Sequence, residues 1–254
     1  VRSPAEARRP KCAALAALGM LGASDQADPC ADCLGDDEWE VKACALDCLA
    51  QMGDAGREES SRIAACLEDD AFIVRTKACE CLGALKVDDS MDTVVDLFED
   101  KAPTVRSAAL MALAECPEVA QSYSSEVFKR MGDEITGVRA AAIMCLGAMG
   151  ETGQSFASII ATKLKEDDPS VRAAACEALG KLGDHGAVFA DEVALYLQDD
   201  APEVRMRAAK ALGLMGSEGA LYVDDIRYLL NDAFGEVSAA ATDSLLSLER
   251  ALEE

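Results

Sequence analysis

Val171-Arg-Ala-Ala-Ala-Cys-Glu-Ala-Leu-Gly180 and Val204-Arg-Met-Arg-Ala-Ala-Lys-Ala-Leu-Gly213 are two copies of one phrase. Looser copies begin at Val41, Val74, Val105, Val138 and Val237, and a degenerate one at Pro10, so the phrase returns at a nearly constant interval along the chain. A period in this range marks a stacked array of small units. In such an array each unit touches mainly its neighbours, and function lies on an extended surface rather than in a catalytic pocket. No break in period or composition interrupts the series, so residues 1–254 are expected to form a single array.

The unit at 166–198 shows the local grammar. Glu166-Asp-Asp-Pro-Ser170 opens it, with Asp or Ser available to cap free amide groups and Pro169 suited to a first helical turn. Val171, Ala174, Ala175, Ala178 and Leu179 then recur at helical spacing. Gly180 and Gly183 are expected to end this first helix, with Asp184, His185 and Gly186 as a turn. A second helix follows, with Phe189, Val193 and Leu197 on one side. Across the array, Leu34, Leu67, Phe98, Met131, Leu164, Leu197 and Leu230 form one column of this second helix, and Cys30, Ile63, Val94, Val127, Ile160, Val193 and Ile226 another. Both are expected to be buried seams. An aromatic column, Tyr123, Phe156, Phe189 and Tyr222, is likewise assigned to the core. The last unit breaks the pattern: Ser238 replaces the Arg, Leu246 replaces the Gly, and only one helix is present, carrying polar residues suited to an exposed end. The fold class that follows is all-α: an α-solenoid of about seven helix pairs plus a terminal capping helix.

Helix pairs of this length, with Val-Arg, Ala-rich text and Leu-Gly, resemble HEAT repeats. The short period and the Asp-Asp-x-x-Val-Arg entry are similar to the HEAT-like type named after phycobilisome lyases. The resemblance spans nearly the whole chain. It implies architecture more than activity, because such proteins include scaffolds, adaptors, chromophore lyases and a metal-dependent hydroxylase. It also implies a role for two regular polar columns: Arg75, Arg106, Arg139, Arg172 and Arg205, completed by Lys11 and Lys42, and the acids Asp36, Asp69, Asp100, Asp133, Glu166, Asp199 and Asp232. These are expected to bridge neighbouring units rather than to form an anion-binding stripe.

The chain carries 24 basic and 47 acidic residues, a net charge of −23. Such a field repels phosphate backbones and anionic lipid. Nucleic acid is therefore not an expected partner, and a protein with a basic or helical segment is. No stretch is long and apolar enough to cross a bilayer, so direct membrane insertion is not expected. No homo-oligomer is expected. Most of the 11 cysteines fall in helix columns shared with Ala, Leu and Ile, so they read as small core residues in an intracellular reducing compartment. That compartment is cytoplasmic or, if the Arg-containing segment Val1–Pro10 is the remnant of a targeting sequence, a plastid or other organelle.

Little catalytic material remains. Cys30-Ala-Asp-Cys33 has no second pair at metal-ligand spacing, and His185 is the single histidine. The hydroxylase of this repeat type uses several His-Glu pairs, which one histidine cannot supply. No Ser-His-Asp set can be assembled, and no cofactor or metal site is expected. Surface positions hold the remaining signal. The columns four and eight residues before each closing acid should face solvent, and most members are polar. Leu195 and Tyr228, in adjacent units, are the exceptions. With Arg227, Asp191 and Asp224 they form the candidate partner-binding patch, since aromatic and Arg anchors populate interface centres. The expectation is a non-enzymatic scaffold or adaptor, or a subunit of a larger assembly. The alternative is a chromophore-lyase-like or cofactor-delivery protein.

Overall fold

The computed structural model describes residues 4–253, with side chains over 9–251. The chain forms two compact units, residues 1–119 and 120–254. In the first lie the first helices of four repeats: α1 (Pro4–Leu21), α2 (Trp39–Ala50), α3 (Phe72–Ala84) and α4 (Pro103–Ala114). In the second lie α5 (Thr136–Ala148), α6 (Pro169–Lys181), α7 (Pro202–Leu214) and α8 (Gly235–Glu253). Among the described residues there is no strand.

Entry to the first helices follows the sequence signals. Pro103, Pro169 and Pro202 occupy the opening turn, where a missing N–H costs nothing. The Asp168 carboxylate accepts from the Ser170 amide at 2.9 Å and caps α6. Each second helix is shorter than its apolar spacing suggests. Ala157–Thr162, Ala190–Ala194 and Val223–Tyr228 have five or six residues and then tighten into a 3₁₀ turn.

Two readings of glycine change. Gly180 lies inside α6, not at its end. A Cβ built on it would sit 2.7 Å from the Cα of Ala211, so the absent side chain is what lets α6 and α7 touch backbone to backbone. Gly183 is the true breaker, with φ +56°, a conformation open to glycine. After it, Asp184–Ala187 forms a short helical turn rather than an open one.

The Ile/Val seam is fully buried: Ile63, Val94, Val127, Ile160, Val193 and Ile226 are all at 0% exposure. In the Leu column, Leu34 to Leu197 are buried, but Leu230 is 41% exposed and Leu229 is buried in its place. The aromatic column is half-buried rather than core: Phe156 stacks at 5.6 Å on Phe128, and Tyr222 donates its hydroxyl to Asp191. Eight of the cysteines are buried and three partly so, all as free thiols. Burial pushes Cys79, Cys81 and Cys176 up to about 12, so they are neutral packing groups.

The polar columns form a ladder inside each unit. In the first, Arg75 Nε and Nη2 donate to Asp100 at 2.8 and 3.0 Å. In the second, Arg172 does the same to Asp199 at 2.8 and 2.9 Å, and Arg205 to Asp232 at 2.8 and 2.9 Å. The third guanidinium nitrogen bonds back to its own repeat, from Arg75 to the Asp69 carbonyl at 2.7 Å and from Arg205 to the Asp199 carbonyl at 2.8 Å. The same carboxylates also cap the next helix, as Asp199 does for the Ala201 amide at 2.9 Å. Lys42 meets Asp69 at 2.6 Å, Lys11 meets Asp36, and Arg139 approaches Glu166 at 3.5 Å. Burial works against the charge on Asp100 and Asp199, yet the guanidinium bonds hold both below the usual carboxylate range. These partners are internal, so the columns are structural.

Candidate interaction surface

Every position four or eight residues before the closing acid is exposed: Asp28, Asp32, Ser61, Ala65, Asp92 and Asp96 in the first unit, and Ser125, Lys129, Ser158, Thr162, Asp191, Leu195, Asp224 and Tyr228 in the second. Alternation with the fully buried Ile/Val column explains this. A residue two positions along a helix from a seam residue points to the opposite side.

Leu195 is 75% and Tyr228 80% exposed, so these side chains are not absorbed by a rotation of the helix. Arg227 donates to Asp224 at 2.8 Å, and both remain open to solvent. Asp191 accepts from Tyr222, which raises that phenol to about 12 and holds the carboxylate in place. The five candidate residues therefore lie on exposed second-helix positions of two adjacent repeats.

The structure adds residues that the sequence columns passed over. Val188 and Leu221, at equivalent positions of adjacent repeats, are each 71% exposed. They stand seven residues before Leu195 and Tyr228 in sequence, just ahead of the second helices Ala190–Ala194 and Val223–Tyr228. Each repeat thus reads apolar, acidic pair, apolar: Val188, Asp191-Glu192, Leu195, then Leu221, Asp224-Asp225, Tyr228. The corresponding pair in the preceding repeat is Ser155 and Thr162. Beside Val188 opens a cleft of about 620 Å³, lined by Asp184, Asp191, Leu214 and Glu218. Comparing the column eleven residues before the closing acid would have found Val188 and Leu221.

In the first unit the same face is charged and internally paired. Arg62 donates to Asp28 at 2.9 Å and to Asp32 at 2.6 Å, and reaches Glu59 at 3.3 Å. Among the described residues, no group of three or more His, Cys, Asp or Glu is placed to hold a metal ion. Cys30 is buried, with its sulfur 3.6 Å from that of Cys48, while Cys33 bonds the Pro29 carbonyl. No described helix is long and apolar enough to cross a membrane.

Stacked helix pairs held by a per-repeat Arg–Asp ladder define an α-solenoid class of repeat scaffold. The HEAT repeats family model matches residues 60–125 and 124–190, just over half of the chain, and the chain belongs to that family. Among solved structures, the complex of CpcE and CpcF of phycocyanin lyase from Nostoc sp. PCC7120 is similar at 18% identity. That match covers 93% of this chain and 88% of that one, with a TM-score of 0.59. A crystal structure of an engineered protein is similar at 16% identity over 88% of this chain and 68% of that one, with a TM-score of 0.54. At these identities the likeness is one of fold. None of the curated proteins compared matches the chain.

Proposed function

We propose that this chain is a non-enzymatic scaffold or adaptor, a single solenoid that docks another protein through the exposed second-helix face of its last two complete repeats. The observation that carries the reading is the exposure of Leu195 and Tyr228 beside Asp191, Asp224 and Arg227. Apolar anchors flanked by carboxylates, on a chain of net charge −23, fit a partner segment that is basic and amphipathic, most simply a helix. The core thiols fit a reducing intracellular compartment.

Affinity capture followed by mass spectrometry tests this. The wild-type chain should retain a protein with a basic segment, and Leu195→Asp with Tyr228→Asp should lose it at unchanged helicity. Loss of helicity in the variant, or capture of a strongly acidic partner, would count against the reading. The chromophore-lyase-like alternative has the fold of the Nostoc complex and the cleft beside Val188 in its favour. Against it, Asp184, Asp191 and Glu218 line that cleft and repel the propionates of a bilin. A visible absorbance band on adding bilin to the purified protein would revive it.

A further inference from the structure

Val188 and Leu214 border one cleft of the second unit, and each departs from its column. Val188 stands where earlier repeats carry Glu58, Asp89, Ser122 and Ser155. Leu214 stands where they carry Gln51, Ala84, Glu115, Ala148 and Lys181. Leu214 is 61% exposed, so like Val188 it adds nothing to the core. Exposed apolar residues gathered around a cavity mark a contact site.

The cleft of about 620 Å³ has the size of pockets that take a ligand group. Its floor is formed by Ala187, Ala190 and Met215, all buried. Asp184, Asp191 and Glu218 stand around that floor, and among the described residues that line it there is no Lys or Arg. Asp191 is held in place by the Tyr222 hydroxyl, while Asp184 and Glu218 are exposed. These carboxylates do not converge on a metal position. Carboxylates spread around an apolar floor suit a cation that brings an apolar stem and several donors. Arginine has both: methylenes that lie on apolar surface, and a planar head with five N–H groups. Toward the preceding repeat, Val188 also borders a smaller cleft of about 310 Å³, where Asp184 is the single carboxylate among the lining residues. Charge therefore singles out the larger cleft.

We propose that this cleft receives an arginine side chain of the partner segment that docks on Leu195 and Tyr228, an inference that rests on the docking reading above. The stem of that arginine lies on Val188, Leu214 and Met215, and its guanidinium meets Asp184, Asp191 and Glu218. Asp191 joins the two sites, because it lines the cleft and also stands one helical turn before Leu195. The cleft opens at the Val188 end of the face, so the arginine lies near one end of the docked segment. The apolar anchors supply affinity, and the cleft sets the register and direction in which the segment lies.

Two fluorescent helical peptides test this. Both are built from Leu, Gln and Ala with leucines at helical spacing; one ends in a single arginine, the other in citrulline, its neutral isostere. Fluorescence anisotropy with the full chain should show the arginine peptide binding at least about fivefold more tightly, a preference that fades as salt is raised. Asp184→Asn with Glu218→Gln should abolish the preference and leave citrulline-peptide affinity unchanged, which also shows that the variant is folded. Asp200→Asn with Glu203→Gln removes the same charge from exposed positions outside the cleft and should keep the preference. Leu195→Asp with Tyr228→Asp should weaken both peptides alike. Equal binding of the two peptides to the wild-type chain would overturn the arginine site and leave the docking face standing. A preference that survives Asp184→Asn with Glu218→Gln, or that is lost equally in Asp200→Asn with Glu203→Gln, would also overturn it. Binding of neither peptide would remove the docking face and the arginine site together.

Discussion

The second-helix face of residues 1–119 and that of residues 120–254 share one backbone register and differ in chemistry. In the first unit, Asp28 and Asp32 are gathered by Arg62 into a pairing of the face with itself. In the second, the columns of Asp28 and Asp32 end in Asp224 and Tyr228, and the apolar members have no cover. Both units carry a base–acid ladder beneath, with Lys11 and Lys42 among the bases of the first and only Arg in the second, and their Arg–Asp rungs match. Arg75–Asp100 and Arg172–Asp199 agree in their Nε distance of 2.8 Å and in the 8% exposure of the acid. The repeat thus fixes where a side chain sits, and only its identity at the open positions separates a solvated face from a contact face.

Exchanging residues between the faces gives the largest expected effect. Leu195→Asp with Tyr228→Ala writes the first unit's Asp96 and Ala65 onto the second unit. Removing two central anchors should cost roughly 3–4 kcal/mol of binding, more than a hundredfold in Kd with the captured partner. Asp32→Ala with Asp96→Ala should leave that Kd within about twofold, since rim charges on a solvated face contribute little. Isothermal titration on both variants decides it, and equal losses would erase the distinction between the faces.

The ladder sets the next scale. Arg75→Ala and Arg172→Ala each strand a largely buried, hydrogen-bonded carboxylate, so each should cost about 2 kcal/mol in urea unfolding. The prediction that sharpens the comparison is equality. A difference above about 1 kcal/mol would show that the two units do not share one scaffold chemistry.

Acid provides a smaller, graded version of the same test. Asp100, Asp199 and Asp232 all lie below their ordinary value of 3.8 in the folded chain. For Asp232 the Arg205 hydrogen bond is the main cause. A depressed carboxylate contributes stability that is fully present above the unfolded value and is lost as pH falls through the lower folded one. Unfolding free energy should therefore be level from neutrality to about pH 5 and decline below about pH 4. Arg205→Ala should flatten that decline, and an unaltered acid limb would show that the ladder carries no linkage.

Burial once per repeat made the array and its seams legible in sequence, because a column of Ile and Val has one physical explanation. Other features depend on neighbours that a single repeat does not display. Gly180 reads equally well as a helix end or as a close contact, and only the position of Ala211 decides between them. Leu230 matches its column in type, yet it is exposed while its neighbour Leu229 is buried. Leu195 and Tyr228 stood out because helical spacing assigns their column to solvent. Val188 and Leu221 lie where the second helix is just beginning, and periodicity there says nothing about exposure.

Arg62 supplies the smallest expected effect and the sharpest control. Its head is bonded to Asp28, Asp32 and Glu59, but its side chain is 37% exposed and the two aspartates are 79% and 74% exposed. Solvent screens such a cluster, so Arg62→Ala should change stability by less than about 1 kcal/mol. It leaves Asp28 and Asp32 on the surface, where water satisfies them, and makes the first unit's face more acidic. If the first unit only solvates the array, partner affinity will not move. If Arg62→Ala instead raises affinity for a basic partner, the pairing of that face with itself is what keeps the partner off it. The two faces would then differ by occupancy of their carboxylates as well as by Leu195 and Tyr228, and titration of Arg62→Ala with the same partner measures how much.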